Sequence, residues 1–219
     1  ALPAGAEDAC AAPAEEELEW TDLFARGEGS ADRLRLTLTL GCMEVAYNMA
    51  FYVIVFSAGR LSDQLLLNLV LLAAADLPGS TLAGLAIDAI GAKRTAVAFL
   101  GGGSAALFTI AAYTALDGAA ALPALPPALV TASLSLLAKS LCTGAFTAVF
   151  LLFSECYPTN LRSAALGSGN MFGKMGAASA APLTASVPLL TALAIAGGLL
   201  GAAATAATTL PAPDGPAGA

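Results

Sequence analysis

Residues 126–153 read PPALVTASLSLLAKSLCTGAFTAVFLLF, and Lys139 is the only charged residue among them. A helix that crosses a bilayer needs about 20 mostly apolar residues, so this stretch is long enough to do so. Five other stretches share its character: residues 35–58, 65–87, 95–116, 163–184 and 187–209. We therefore predict an all-α membrane protein whose transmembrane domain, residues 35–209, is a bundle of six transmembrane helices.

The overall composition agrees with a protein embedded in a membrane. Of the 219 residues, 58% are hydrophobic and 11% are charged, whereas about a quarter of the residues in soluble domains are charged. Nine of the 16 acidic residues lie before position 33, which leaves the remainder nearly free of charge. No basic stripe is present, which argues against a nucleic-acid partner. With no histidine and four dispersed cysteines, the sequence predicts no metal site, no disulfide framework and no cofactor.

The basic residues orient the predicted bundle. Six of them fall on one side of the membrane, in the N-terminal segment and in the loops after the second and fourth spans: Arg26, Arg33, Arg35, Lys93, Arg94 and Arg162. Only Arg60 falls on the other side. Since cytoplasmic loops are enriched in Lys and Arg, we place both ends in the cytoplasm, residues 1–34 as an acidic linker and residues 210–219 as a disordered tail.

Two local features allow alternatives. Residues 20–24, Trp-Thr-Asp-Leu-Phe, fit either a short interfacial helix or an ordinary linker. The break between Leu183 and Pro188 is weak, so one long broken helix is an alternative to two separate spans there.

Two lysines lie deep within predicted spans, Lys139 in the fourth and Lys174 in the fifth. A charge at the bilayer centre costs about 2.5–3.5 kcal/mol on insertion scales, so such residues usually face a cavity or a partner. Together the lysines predict a cationic cavity for a substrate carboxylate or phosphate. The alternative is that each lysine pairs with an acid or a carbonyl for purely structural reasons.

Two acids also lie within predicted spans. Asp76 stands two residues before Pro78, which removes one helix hydrogen bond and can kink the span. Asp76 is therefore a proton relay, a local cap or the counter-ion of a lysine, and we favour the counter-ion. Glu44, one turn from Asn48, is expected near an interface.

The first span carries a group of aromatic and amide side chains. Tyr47 and Phe51 are four residues apart and share a helical face, with Asn48 and Tyr52 beside them. Aromatic rings with one amide are typical of a pocket for an organic molecule. Packing in the core or against lipid is the alternative.

Two loops on the cytoplasmic side place an acid and a base at helix ends. Residues 88–94 read DAIGAKR and residues 155–162 read ECYPTNLR. Charge pairs that form in one state and separate in another make a two-state gate. The candidate gate residues are Asp88, Gly91, Lys93, Arg94, Glu155 and Arg162.

These loops resemble the signature motifs of the major facilitator superfamily. Residues 88–94 are similar to its Asp-x-x-Gly-Arg-Arg/Lys loop, and Glu155 with Arg162 is similar to its Glu-x6-Arg pair. The form Glu-x-Tyr-Pro-Thr-x-x-Arg resembles the organic anion/cation transporter branch of solute carriers. Cys156 and Ala92 depart from the usual pattern, which weakens any assignment of a particular substrate.

The resemblance covers roughly residues 20–215 and implies the C-terminal half of a twelve-helix fold, spans seven to twelve. Phe51-Tyr52 falls where the family has a Tyr pair, Asp76 at its acid before a proline, and Lys139 at a Gly-Lys-like site. Lys174 falls where anion carriers tend to have Arg and cation carriers Asp. The implied partners are a small organic ion, the lipid bilayer, here that of the plasma membrane, and an N-terminal six-helix half missing from this sequence.

Three functions fit these features. The first is a carrier of organic ions, with anions favoured because of Lys174 and Lys139. The second is a sugar or metabolite carrier of the same superfamily, which shares both loop motifs. The third is a transport-inactive half-size membrane partner, since the sequence holds only one half of the implied fold. The sequence does not begin with Met, and we expect a fragment. An enzyme is disfavoured, because the sequence holds no histidine and no recognisable catalytic constellation.

Overall fold

The computed structural model describes residues 30–61, 65–116 and 127–210, and every regular element within them is an α-helix. The predicted interfacial helix at residues 20–24 and the tail beyond Leu210 lie outside these ranges. The helices of the described ranges are α1 Ser30–Leu61, α2 Leu65–Ala74, α3 Asp76–Ile90, α4 Ala92–Ala115, α5 Pro127–Cys156, α6 Thr159–Ser186 and α7 Leu189–Thr208.

Five helical stretches are long and apolar enough to cross a membrane: Arg33–Ser57, Leu66–Ile90, Ala92–Ala115, Leu129–Cys156 and Leu189–Thr208. The second of these contains both α2 and α3. A multi-pass, all-α membrane bundle is therefore confirmed, with five candidate spans where six were predicted. The stretch predicted as the fifth span, residues 163–184, lies in α6. That helix is long enough but too polar in composition to qualify, since Ser, Asn and Lys interrupt its small apolar residues.

Some helix boundaries differ from the predicted ones, and prolines precede two of the helices. α1 begins at Ser30, so residues 30–34 belong to a helix rather than to the predicted linker. α6 and α7 begin directly after Pro158 and Pro188, whose fixed φ angles suit the residue before a helix. Val187 is extended and ends α6. The weak break at Pro188 thus separates two helices.

Three helices, α1, α4 and α5, make the most extensive contacts in the bundle. α1 packs most extensively on α6 and also on α5 and α7, while α4 lies between α5 and α7. Leu, Ile, Met and Phe side chains fill the interior, and the largest fully buried ones include Leu40, Met43, Ile54, Leu100, Leu107, Ile110, Leu152, Phe153, Leu193 and Leu200. Helices α2 and α3, by contrast, expose a row of leucines, as a surface in contact with lipid does.

Glycines permit the closest helix crossings. A Cβ on Gly79 of α3 would come within 3.0 Å of the Ser140 backbone in α5. A Cβ on Gly176 of α6 would come within 2.9 Å of the Val45 Cα in α1. Because backbone atoms cannot move aside as a flexible side chain can, these two positions fix how closely the helix pairs approach.

Substituting Ala for Gly79 tests the α3–α5 crossing. The methyl group has no room against Ser140, and overpacking of this kind costs about 1–3 kcal/mol. We expect Gly79→Ala to lower the Tm of the protein purified in detergent.

Gly84 is the matched control, because it lies on the same helix and a Cβ added there would have no other side chain or neighbouring helix within 4 Å. Gly84→Ala should leave the Tm unchanged or raise it, since Ala favours helix by roughly 0.5–1 kcal/mol. Equal effects of the two substitutions would contradict the close crossing.

Candidate functional site

The break between α2 and α3 positions the central acid of the site. α2 ends at Ala74, α3 begins at Asp76, and Pro78 has no N–H with which to bond the carbonyl of Ala74. The hydroxyl of Ser140 on α5 donates a hydrogen bond of 2.8 Å to the carbonyl oxygen of Ala75. The break and the hydrogen bond together hold Asp76 against α5.

Asp76 is the counter-ion of Lys139. The Lys139 Nζ lies 2.5 Å from the Asp76 Oδ1, which is the only salt bridge among the described residues. The hydroxyl of Thr143, one turn along α5, donates to the same carboxylate oxygen at 2.7 Å. The Lys139 side chain is 3% exposed and that of Asp76 is 37% exposed. The lysine is therefore buried and charge-compensated, whereas the carboxylate faces an opening.

An aromatic ring completes the surroundings of Lys139. Its Nζ lies 4.3 Å from the centroid of the Phe51 ring, a cation–π distance. For Lys139 the structure shows the alternative to a free cationic charge, a lysine paired with an acid. Asp76 balances the charge of Lys139, so Lys174 alone supplies positive charge not held in a salt bridge within this region.

A cavity of about 300 Å³ opens beside the ion pair. Small-molecule sites generally occupy about 300–1,000 Å³ and combine apolar walls with a few polar groups. The walls come from α1, α3 and α5, and the lining residues are Tyr47, Asn48, Phe51, Tyr52, Asp76, Cys142, Thr143 and Phe146. The structure thus brings five of the predicted substrate-binding residues to one cavity, with Lys139 beside them.

The cavity wall that sequence reasoning missed belongs to α5. Cys142, Thr143 and Phe146 lie three, four and seven residues after Lys139, so they share its helical face. The Phe146 ring packs edge-on against Tyr47, with centroids 5.8 Å apart. Projecting the helix from Lys139 would have found all three residues.

A second polar cluster lies where α1 meets α6. Glu44 is 5% exposed and sits near the middle of α1, at a helix–helix interface. Its carboxylate accepts hydrogen bonds from the Tyr47 hydroxyl and, at 3.3 Å, from the Asn48 amide. Lys174, exposed on α6, interacts electrostatically with it. Glu44 was not among the predicted site residues.

The predicted gate residues lie at helix ends, as their loop positions require. Gly91 joins α3 to α4 with a φ of 86°, a backbone conformation that favours glycine. Lys93 donates a hydrogen bond to the carbonyl oxygen of Leu210, which links the start of α4 to the end of α7. The four charged residues Asp88, Arg94, Glu155 and Arg162 are exposed and form no salt bridge with one another.

Tyr157 anchors the second loop motif to α1. Its hydroxyl and that of Thr37 form a hydrogen bond of 2.7 Å. Burial raises the pKa of the Tyr157 phenol above its ordinary value, so the group remains a neutral hydrogen-bonding partner. The ring also stacks on Phe153 of α5, with centroids 6.1 Å apart.

Removing one member of the ion pair should cost more than removing both. Asp76→Asn leaves the Lys139 ammonium buried without a counter-charge, and breaking a buried pair costs about 3–5 kcal/mol. The partial exposure of Asp76 puts the expected cost near the lower value. We expect a clear loss of Tm in detergent, most of it recovered in Asp76→Asn/Lys139→Met.

Asp88→Asn is the control, because Asp88 is an exposed acid on the same helix and should not change the Tm. A double variant as unstable as the single one would show that the two side chains do not act as a pair.

No protein-family model matches the chain. Solute carrier family 22 member 16 of Xenopus laevis is 30% identical over 142 residues, which are 65% of this chain and 23% of that protein. Solute carrier family 22 member 15 of Xenopus tropicalis is 30% identical over 131 residues, which are 59% of this chain and 24% of that protein. The matched region thus spans about a quarter of the length of these relatives. The curated proteins similar to this chain are therefore members of solute carrier family 22, which confirms the resemblance that the loop motifs indicated.

Proposed function

We propose that this chain is the C-terminal half of a major facilitator-type carrier that moves small organic ions across a membrane by alternating access. The observation that carries the proposal is the cavity that combines an ion pair with aromatic walls near the middle of its helices. Secondary carriers bind substrate near the bilayer midplane, where charged groups persist only with a function or a partner. The names of both relatives describe solute carriers rather than enzymes.

The composition of α6 supports a missing partner half. This helix is as long as a membrane span, yet Asn170 and Lys174 are exposed on it and its overall composition is polar. A helix with such a face is disfavoured against lipid, because an exposed charge at that depth is costly. In the proposed carrier, α6 is the fifth of the six spans, and its polar face lines the path between two six-helix halves.

Charge favours an organic anion as the substrate. Asp76, the charged residue that lines the cavity, compensates Lys139. We therefore assign binding of an external anion to Lys174, which is exposed on α6 and is not among the lining residues. The rings of Phe51, Tyr52 and Phe146 offer flat apolar walls to the organic part of the ligand. The distribution of Lys and Arg places both ends of this segment in the cytoplasm, and we assign the carrier to the plasma membrane.

Lys174 is the residue that tests the anion preference. In the full-length protein, Lys174→Ala should abolish uptake of organic anions, because the other intramembrane lysine, Lys139, is buried and paired with Asp76. Lys174→Arg should retain uptake, since the charge remains. Cell-surface labelling is needed to show that both variants reach the membrane. Unchanged uptake and affinity in Lys174→Ala would refute the anion assignment.

The aromatic wall gives a second test. Phe146→Ala removes a ring that lines the cavity, and an aromatic contact of about 1–1.5 kcal/mol corresponds to roughly a tenfold rise in KM. Phe108→Ala is the matched control: Phe108, on α4, is similarly exposed but does not line the cavity. A KM that responds equally to both substitutions would place the substrate elsewhere.

The shared loop motifs also favour a sugar or metabolite carrier of the same superfamily. Competition of labelled uptake by a panel of sugars and organic anions separates the two substrate classes. A transport-inactive half-size partner is distinguished by the transcript upstream of Ala1. Six further spans in frame would exclude it, and a start codon just upstream would favour it.

A further inference from the structure

One intramembrane acid, Glu44, neither lines the cavity nor takes part in the Lys139–Asp76 salt bridge. Its carboxylate is buried near the middle of α1 and accepts hydrogen bonds from the neutral groups of Tyr47 and Asn48. Burying an ionised carboxylate without a nearby cation costs free energy, so whether Glu44 is ionised depends on the cation beside it. That cation is Lys174 of α6.

The surroundings of Glu44 hold one cation within reach among the described residues. α6 brings Lys174, and its other base, Arg162, lies twelve residues earlier, about 18 Å along the helix axis. On α5, Lys139 is held by Asp76, and Cys142 lies on the cavity wall. Tyr47 is the titratable neighbour on α1 itself. The described residues of α2 and α7 include no titratable side chain.

The packing of α6 on α1 depends on this cluster. A Cβ on Gly173, the residue before Lys174, would lie 2.8 Å from the Glu44 Oε2 and 2.5 Å from the Asn48 Nδ2. A Cβ at this position would push the ends of the Glu44 and Asn48 side chains aside. Gly173 therefore lets α6 approach the carboxylate directly and carries Lys174 alongside it.

We propose that Glu44 is a proton-binding site that couples proton uptake to anion binding at Lys174, an inference that rests on the proposed carrier function. Lys174 is exposed, so either the Glu44 carboxylate or a substrate anion can neutralise it. When the substrate binds Lys174, Glu44 loses its counter-charge and takes a proton from the aqueous phase, forming an O–H bond on its carboxyl group.

The charge of the cluster balances in both states. Before binding, the Glu44 carboxylate and the Lys174 ammonium sum to zero. Afterwards, protonated Glu44 is neutral, and the ammonium and a monovalent substrate anion again sum to zero. One proton therefore enters with each monovalent anion, and the exchange adds no net charge to a region where charge is costly.

Two residues connect Glu44 to the cavity. Tyr47 and Asn48 both hydrogen-bond to its carboxylate and both line the cavity wall. A ligand in the cavity thus contacts the partners of the proton site. Anion binding favours protonation of Glu44. Thermodynamic linkage then requires that protonation of Glu44 strengthen anion binding by the same factor.

The test is uptake of a labelled monovalent organic anion by the full-length protein in cells, measured from acidic to alkaline external pH. Wild-type protein should show an apparent KM that rises about tenfold per pH unit where Glu44 ionises, because one proton binds with each anion. Glu44→Gln is neutral at every pH and still accepts the Tyr47 hydrogen bond. Its KM should be as low as that of the wild type at acidic pH, and independent of pH.

Two further measurements keep the outcome decisive. A cytoplasmic pH indicator should report acidification during uptake by the wild type but not by Glu44→Gln. Asp214→Asn, which removes an acid outside the predicted transmembrane domain, should behave as the wild type. Anion uptake by the wild type without acidification, or a pH dependence that persists in Glu44→Gln, overturns the coupling and leaves the carrier function standing. Absence of any organic-ion uptake by the wild type overturns the carrier function, and the coupling with it.

Discussion

The ion pair between Lys139 and Asp76 is the constraint on which the middle of this bundle depends. A lysine buried in an apolar helix requires a counter-charge, and the counter-charge comes from a helix that is interrupted one residue earlier. At the interruption the Ala75 carbonyl accepts a hydrogen bond from the Ser140 hydroxyl in addition to the one from the Gly79 N–H. Gly79 also allows α3 to approach α5 closely enough for the Ser140 hydrogen bond and the salt bridge. The cavity opens on the exposed side of the same carboxylate, so the site and the packing share one origin.

The sequence predicts correctly the features that depend on one residue or on a long apolar stretch. Long apolar stretches predicted an all-helical membrane bundle, because backbone groups in lipid must bond within their own segment. Asp76 was favoured as a counter-ion because a charge beside a proline in an apolar span needs a reason, and the structure pairs it with Lys139. The fifth predicted span, residues 163–184, is the exception, because α6 is a full-length helix with a polar face: its length favours a membrane span and its hydropathy does not.

The features that sequence reasoning missed depend on helix pairing. Nothing local to Glu44 indicates that α6 passes it at Gly173, because the contact joins residues more than a hundred positions apart. The α5 wall was within reach of the sequence, since it follows from helical spacing alone once Lys139 is placed. The gate motifs are a different case. Their charged residues form no salt bridges with one another in the described part of the chain. Their role as a gate therefore stays a prediction.

The interruption at Ala75 also has a mechanical consequence. Pro78 deprives the span of one backbone hydrogen bond, so fewer such bonds oppose bending at that point than in a continuous helix. Of the five candidate spans, the one formed by α2 and α3 is the least buried, at 22%, so few packed neighbours resist the movement of α2. The span can therefore bend at the break: α2 can move relative to α3, while the salt bridge keeps Asp76 in place.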